Sequence, residues 1–130
     1  MVYIDANIAL ELLLDGRAYE QAVTNYLSAK EKVYMSMLSV HLVWHFGRKV
    51  GIADDVLRDF TDAVGIVSIA PEDYVWARKH EARRDFEDAL QVAAALRVGA
   101  SEFVTLNQSL IAAYETKVGL IFVNPSALNS

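Results

Sequence analysis

Short apolar runs alternate with helix-patterned stretches along this whole chain, and that alternation most limits what it can fold into. The runs are Val2-Tyr3-Ile4, Val33-Tyr34-Met35, Ile66-Val67-Ser68-Ile69, Phe103-Val104-Thr105 and Leu120-Ile121-Phe122-Val123. Each is rich in β-branched or aromatic residues and apolar at successive positions, so both faces ask for burial, as in strands of a parallel sheet. Between the runs lie helical patterns. Residues 18–30 bring Ala18, Ala22, Tyr26 and Leu27 to one face and end on Lys30, which suits a helix C-terminus. Residues 38–50 and 54–64 read as helices closed by Gly51 and Gly65. Pro71 fits a first helical position, with Glu72 and Asp73 in the first turn. The Ala-rich stretch 86–98 stops at Gly99, and 110–117 reads as a short helix or an irregular turn. Strands separated by helices imply right-handed crossovers, and so a three-layer α/β/α sandwich on a parallel sheet of about five strands.

The totals bound the rest. The 130 residues make one domain, 1–130, long enough to bury its own core. With 54% hydrophobic and 22% charged residues the chain is globular rather than disordered. Cysteine is absent, which removes disulfides, thiolate catalysis and Cys-ligated zinc. No apolar run is long enough to cross a bilayer, and the opening residues lack the basic region of a secretion leader. A cytoplasmic protein with no membrane partner is therefore expected. The formal net charge of −5 argues against a broad basic nucleic-acid surface. It leaves room for an enzyme in which a bound divalent cation supplies the positive charge.

Acidic and amide side chains recur where such a sheet would place its ligands. Asp5 ends the first run and precedes a helical pattern, Asp85-Phe86-Glu87-Asp88 opens the Ala-rich helix, and Asn107 follows the fourth run. In a parallel sheet all strand C-termini share one edge, so Asp5 and Asn107 could converge there, with Asp88 beside them. Clustered carboxylates are what Mg²⁺ or Mn²⁺ requires, and an ion so held could activate water for phosphodiester hydrolysis. Each residue also has a plainer reading. Asp5 and Asp85 could be helix N-caps, Glu87 and Asp88 could complement the helix dipole, and Asn107 could be a turn residue.

Other chemistry-bearing residues are less grouped. His41 and His45 stand one helical turn apart but have no evident third ligand, and Trp44 and Phe46 suggest a partly buried helix that packs them. Residues 78–84 carry the most basic stretch, ending in Arg83 and Arg84. These could contact substrate phosphate, or merely mark an exposed helix end. Glu11 reads as a solvated helix face, with a turn towards the pocket as the alternative.

The ordered set of motifs resembles the PIN domain family. Asp5-Ala6-Asn7 after the first strand is similar to the family's opening, and Asp88 to Ala100 to its third acidic motif, followed by Phe103-Val104 and Thr105-Leu106-Asn107. Ser36-Met37-Leu38-Ser39 is similar to the segment before the family's second acid. By size, the resemblance points to the single-domain VapC-like toxins of toxin–antitoxin pairs. It implies a Mg²⁺- or Mn²⁺-dependent endoribonuclease, an RNA substrate, a cognate antitoxin protein and a homodimer. Asp5 and Asp88 would hold the metal, Asp85 or Asn107 would orient ligands or water, and Arg83 and Arg84 would meet phosphate. The family's second acid falls at Leu42 and its fourth at Asn107 or near Ser109, and none of these is acidic. Reduced activity follows, or a catalytically silent PIN fold kept as a binding module for RNA or a protein. A flavodoxin-like nucleotide binder is disfavoured, because no Gly-rich loop follows the first strand.

Overall fold

The computed structural model describes residues 1–129. Five strands form one parallel sheet: β1 Val2–Ile4, β2 Val33–Ser36, β3 Gly65–Val67, β4 Glu102–Val104 and β5 Ile121–Val123, in the order β3-β2-β1-β4-β5. The helices are α1 Ala6–Leu13, α2 Glu20–Ser28, α3 Met37–Lys49, α4 Asp54–Ala63, α5 Pro71–His80, α6 Phe86–Arg97 and α7 Gln108–Tyr114, followed by a 3₁₀ segment, Pro125–Asn129. The expected three-layer α/β/α sandwich is the fold observed.

Two cores explain why the strands are apolar at successive positions. Val2 and Ile4 of β1 point into one core with Ile8, Val23, Met35, Val43 and Leu57, while Tyr3 points to the opposite face with Val92, Phe103, Leu110 and Tyr114. This is the period-2 alternation of a strand buried on both sides. The edge strands depart from the expectation of burial. Ile66 of β3 is 48% exposed and Ile121 of β5 66% exposed, on the two strands that end the sheet.

Helix ends follow local chemistry. Gly51 and Gly99 lie at positive φ just past α3 and α6, as helix-terminating glycines do. Gly65 does not end α4 in this way. It begins β3, where a Cβ would run into the Tyr34 ring packed across from it. The first pattern, 18–30, folds as a helix only from Glu20, and its N-terminus is held by Glu11, whose carboxylate accepts the Tyr19 N–H at 2.8 Å. The uncertain segment 110–117 is a true helix, Gln108–Tyr114, started two residues earlier by the Asn107 cap.

The connections matter most for function. The chain builds β1, β2 and β3 outwards in one direction, then returns through α5 and α6 to place β4 on the other side of β1. Strand order thus reverses between β1 and β4, and an open α/β sheet has its crevice outside the C-terminal ends of the strands at such a point.

Candidate active site

Asp5 follows β1 and Thr105 follows β4, so the two residues flank the reversal of strand order. The capping reading of Asp5 holds, and the cap leaves the carboxylate at the crevice. Asp5 N-caps α1, with Oδ1 accepting the Ile8 N–H at 3.0 Å, and Oδ2 accepts the Thr105 hydroxyl at 2.5 Å. The cap fixes the carboxylate at the crevice instead of competing with a site there. Thr105 Oγ1 in turn accepts the Asn107 N–H at 3.0 Å. Burial pushes the Asp5 carboxyl above the ordinary carboxylate range, opposed by the hydrogen bonds from Thr105 and from the backbone of Ile8 and Asn7.

Asp88 arrives from α6. Asp85 N-caps that helix, its Oδ1 accepting the Asp88 N–H at 3.0 Å, which fixes the first turn and with it the Asp88 side chain. Asp5, Asp88, Glu87 and Asn7 line one notch of about 210 Å³. Asp88 Oδ2 is buried without a hydrogen-bond partner. The Asp88 pKa is pushed up to about 7, first by burial, then by the charge of Asp85, the hydrogen bond with Asp85 and the charge of Asp5, with Arg83 acting the other way.

Beneath the notch lies a polar cluster that reading the sequence did not identify. Gln91, one turn beyond Asp88 on α6, donates to Ser39 Oγ at 2.9 Å, and its Oε1 accepts from Ser36 Oγ at 3.0 Å and from the Tyr3 hydroxyl. Ser36 also N-caps α3 through the Ser39 N–H at 3.0 Å. One buried amide therefore ties β1, the β2–α3 junction and α6 together, holding Asp88 at a set distance from the sheet. The Tyr3 phenol, desolvated, stays protonated far above its usual range. The only signals in sequence were polar residues interrupting otherwise apolar stretches.

Beyond Ser39, the α3 side of the notch is apolar. Ser39, Leu42 and Phe46 face it from successive turns, with Leu10 of α1 beside them. Leu42 thus occupies the wall where a carboxylate was expected, and offers no ligand oxygen.

The remaining predicted residues lie around this centre. Asn107 N-caps α7 through the Leu110 N–H at 3.1 Å and lines a neighbouring hollow with Asn7, Glu11 and Arg17. Ser109 lines a different hollow, with Arg83 and Lys117. Arg83 and Arg84 are not part of a helix end: α5 stops at His80, and both arginines sit exposed in a tight turn at φ of 59° and 56°. Glu11 is neither on a solvated face nor in the notch. It is 6% exposed, paired with Arg17 at 3.2 Å, and serves the start of α2. His41 and His45 are exposed rather than packed, their rings stacked at 6.0 Å.

Among the described residues no three or more His, Cys, Asp or Glu side chains gather as a ready cation cage. What the notch offers is a pair of carboxylates, one with an unpartnered buried oxygen, both disfavouring their own ionisation. That donor set fits a hard divalent cation whose remaining ligands come from water and substrate phosphate.

The sequence pattern of the PIN domain matches residues 2–115, most of the chain. No curated protein matches it. Among solved structures, a Klebsiella pneumoniae toxin–antitoxin complex shares 18% identity at a TM-score of 0.75, covering 96% of this chain and 98% of that one. VapC20 of Mycobacterium tuberculosis, described as a sarcin-ricin loop cleaving toxin, shares 15% identity at a TM-score of 0.73, covering 88% and 95%. VapBC2 of Rickettsia felis, bound to a DNA fragment from its promoter, shares 15% identity at 0.69, covering 95% and 98%. At these identities the likeness is one of fold.

Proposed function

The chain belongs to the PIN domain family, and from that footing we propose that it is a divalent-metal-dependent ribonuclease, the toxin of a toxin–antitoxin pair. The observation that carries this reading is the pairing of Asp5 and Asp88 in one notch, with Asp88 Oδ2 buried and unpartnered. These two residues would hold Mg²⁺ or Mn²⁺. Such an ion lowers the pKa of bound water and offsets charge on the phosphate under attack.

The protein's own part is positioning. Thr105 and the Ile8 N–H aim the Asp5 carboxylate, and the Asp85 cap aims Asp88. Asp85, the N-cap of α6, would orient water or ligands beside Asp88, whereas Asn107, the N-cap of α7, lines the neighbouring hollow and is left out of that role. Arg83 and Arg84, exposed beside the acidic helix start, would supply cations for substrate phosphate. Leu42 cannot accept a proton or bind a cation, so the site holds metal more weakly and turns over more slowly than one with a full set of acids. The fold-level kinship with toxin–antitoxin complexes supports an antitoxin partner, and we propose a homodimer and a cytoplasmic setting alongside it.

A second reading is favoured by one observation, the aliphatic Leu42 on the notch wall. On it, the chain is a PIN fold that binds RNA or a protein without cutting. One assay separates the two: purified protein with mixed single-stranded and structured RNA in Mn²⁺, beside Asp5→Asn and Asp88→Asn. Cleavage lost in both variants supports the enzyme. The same background in all three samples leaves the binding module.

A further inference from the structure

Phe46 is unexplained by anything above. It is a large aromatic side chain, 45% exposed, on the rim of the acidic notch. Its helix continues the apolar wall of Leu42, and Leu10 of α1 extends it, so one side of the notch is hydrocarbon while the other is carboxylate. Around Phe46 the end of α3 is basic and aromatic. His45 meets the Phe46 ring edge-on at 5.2 Å, Lys49 Nζ lies 5.8 Å from its centroid, and Arg48 is one turn from Trp44, its guanidinium 5.0 Å from that ring. Arg48 is paired with Asp54 and Trp44 is half-buried, so the exposed ring and cation at the rim are Phe46 and Lys49, a local feature in a chain of net charge −5.

A nucleotide presents the complementary chemistry: an anionic phosphate and a flat base with two apolar faces. Aromatic rings interleaved with cations are the usual platform for unpaired bases, because every base has a face to stack while the cations follow the backbone. A base inside a duplex has no free face and cannot use such a ring. We propose that Phe46 is a nucleobase platform: the nucleotide whose phosphate enters the Asp5–Asp88 notch lays its base on Phe46 against Leu42. This rests on the ribonuclease reading for the identity of the ligand, but it is tested by binding and needs no turnover.

The probes are a fluorescent oligoribonucleotide and an abasic ribose-phosphate oligomer of equal length and charge. Binding is measured by anisotropy for the unsubstituted protein, Phe46→Ala and Phe46→Trp. Loss of one stacked base should weaken oligoribonucleotide binding about tenfold in Phe46→Ala. Binding of the abasic oligomer should not change, and Phe46→Trp should restore the difference. Equal losses on both probes overturn the proposal, because the effect is then not carried by the base. Unchanged RNA binding together with weaker self-association overturns it in favour of a protein contact. If cleavage is absent from every protein while the base-dependent loss persists, the platform stands and only the enzymatic reading falls.

Discussion

The two walls of the notch are built on opposite principles. On the sheet side, Asp5 and Asp88 are held by caps and hydroxyls: Ile8 N–H and Thr105 on one, the Asp85-capped helix start on the other. On the α3 side, beyond Ser39, Leu42 and Phe46 present only hydrocarbon. The contrast teaches that negative charge is concentrated on one wall. Such a site attracts a single cation and leaves the opposite wall free to take something flat and apolar. Both carboxyls titrate high chiefly because they are buried there, and at Asp88 the neighbouring charges of Asp85 and Asp5 add to the effect.

Removing the charged wall has the largest expected effect. Asp88→Asn should cut Mn²⁺-dependent RNA cleavage at least about a hundredfold. It should at the same time raise the thermal midpoint of the metal-free protein at pH 8, because a like charge leaves a buried cluster. A fall in both activity and stability would assign Asp88 to folding instead. Making the apolar wall acidic tests the other side. Leu42→Glu should tighten Mn²⁺ binding at least about tenfold by titration calorimetry, and unchanged affinity would show that α3 does not reach the ion.

Smaller effects probe how the charged wall is held. Thr105→Val should cost about 1–3 kcal/mol in denaturant unfolding, the loss of a buried bond to a carboxylate, and should raise the Asp5 carboxyl further, since Thr105 now lowers it. The smallest is a pH effect. The Asp88 carboxyl of the folded protein titrates near 7, above the unfolded value of about 3.9. Between those limits the folded chain holds a proton that the unfolded chain has given up, so metal-free stability should fall as pH rises from about 4 to about 7. Saturating Mg²⁺ should flatten that slope, and a slope insensitive to the ion would count against metal at Asp88.

Much of the architecture was legible because strands buried on both faces must be apolar at every position, and few other elements are. The five runs and the helices between them follow from that. Boundaries failed where tertiary contacts decide them. Glu11 reaches back to start α2, Tyr34 dictates the glycine at 65, and Ile66 and Ile121 are exposed on the strands that end the sheet, a position that no local pattern records. The site was partly readable. Asp5 and Asp88 stand out by residue type and by their place before helices. Thr105, Gln91, Ser36 and Ser39 do not, because a hydroxyl or an amide acquires its role only from the atom facing it.

By itself, then, the chain's order of residues determined the alternation of strand and helix, the carboxylates that open two of those helices, and the leucine that stands where an acid was expected. Only the tertiary structure decided that residues 5 and 88 share a notch while Asn107 turns to a neighbouring one. The reason is topological. The return of the chain across β1 sets β4 beside it, and a crevice exists only where strand order reverses, which is a relation between distant segments and not a property of either.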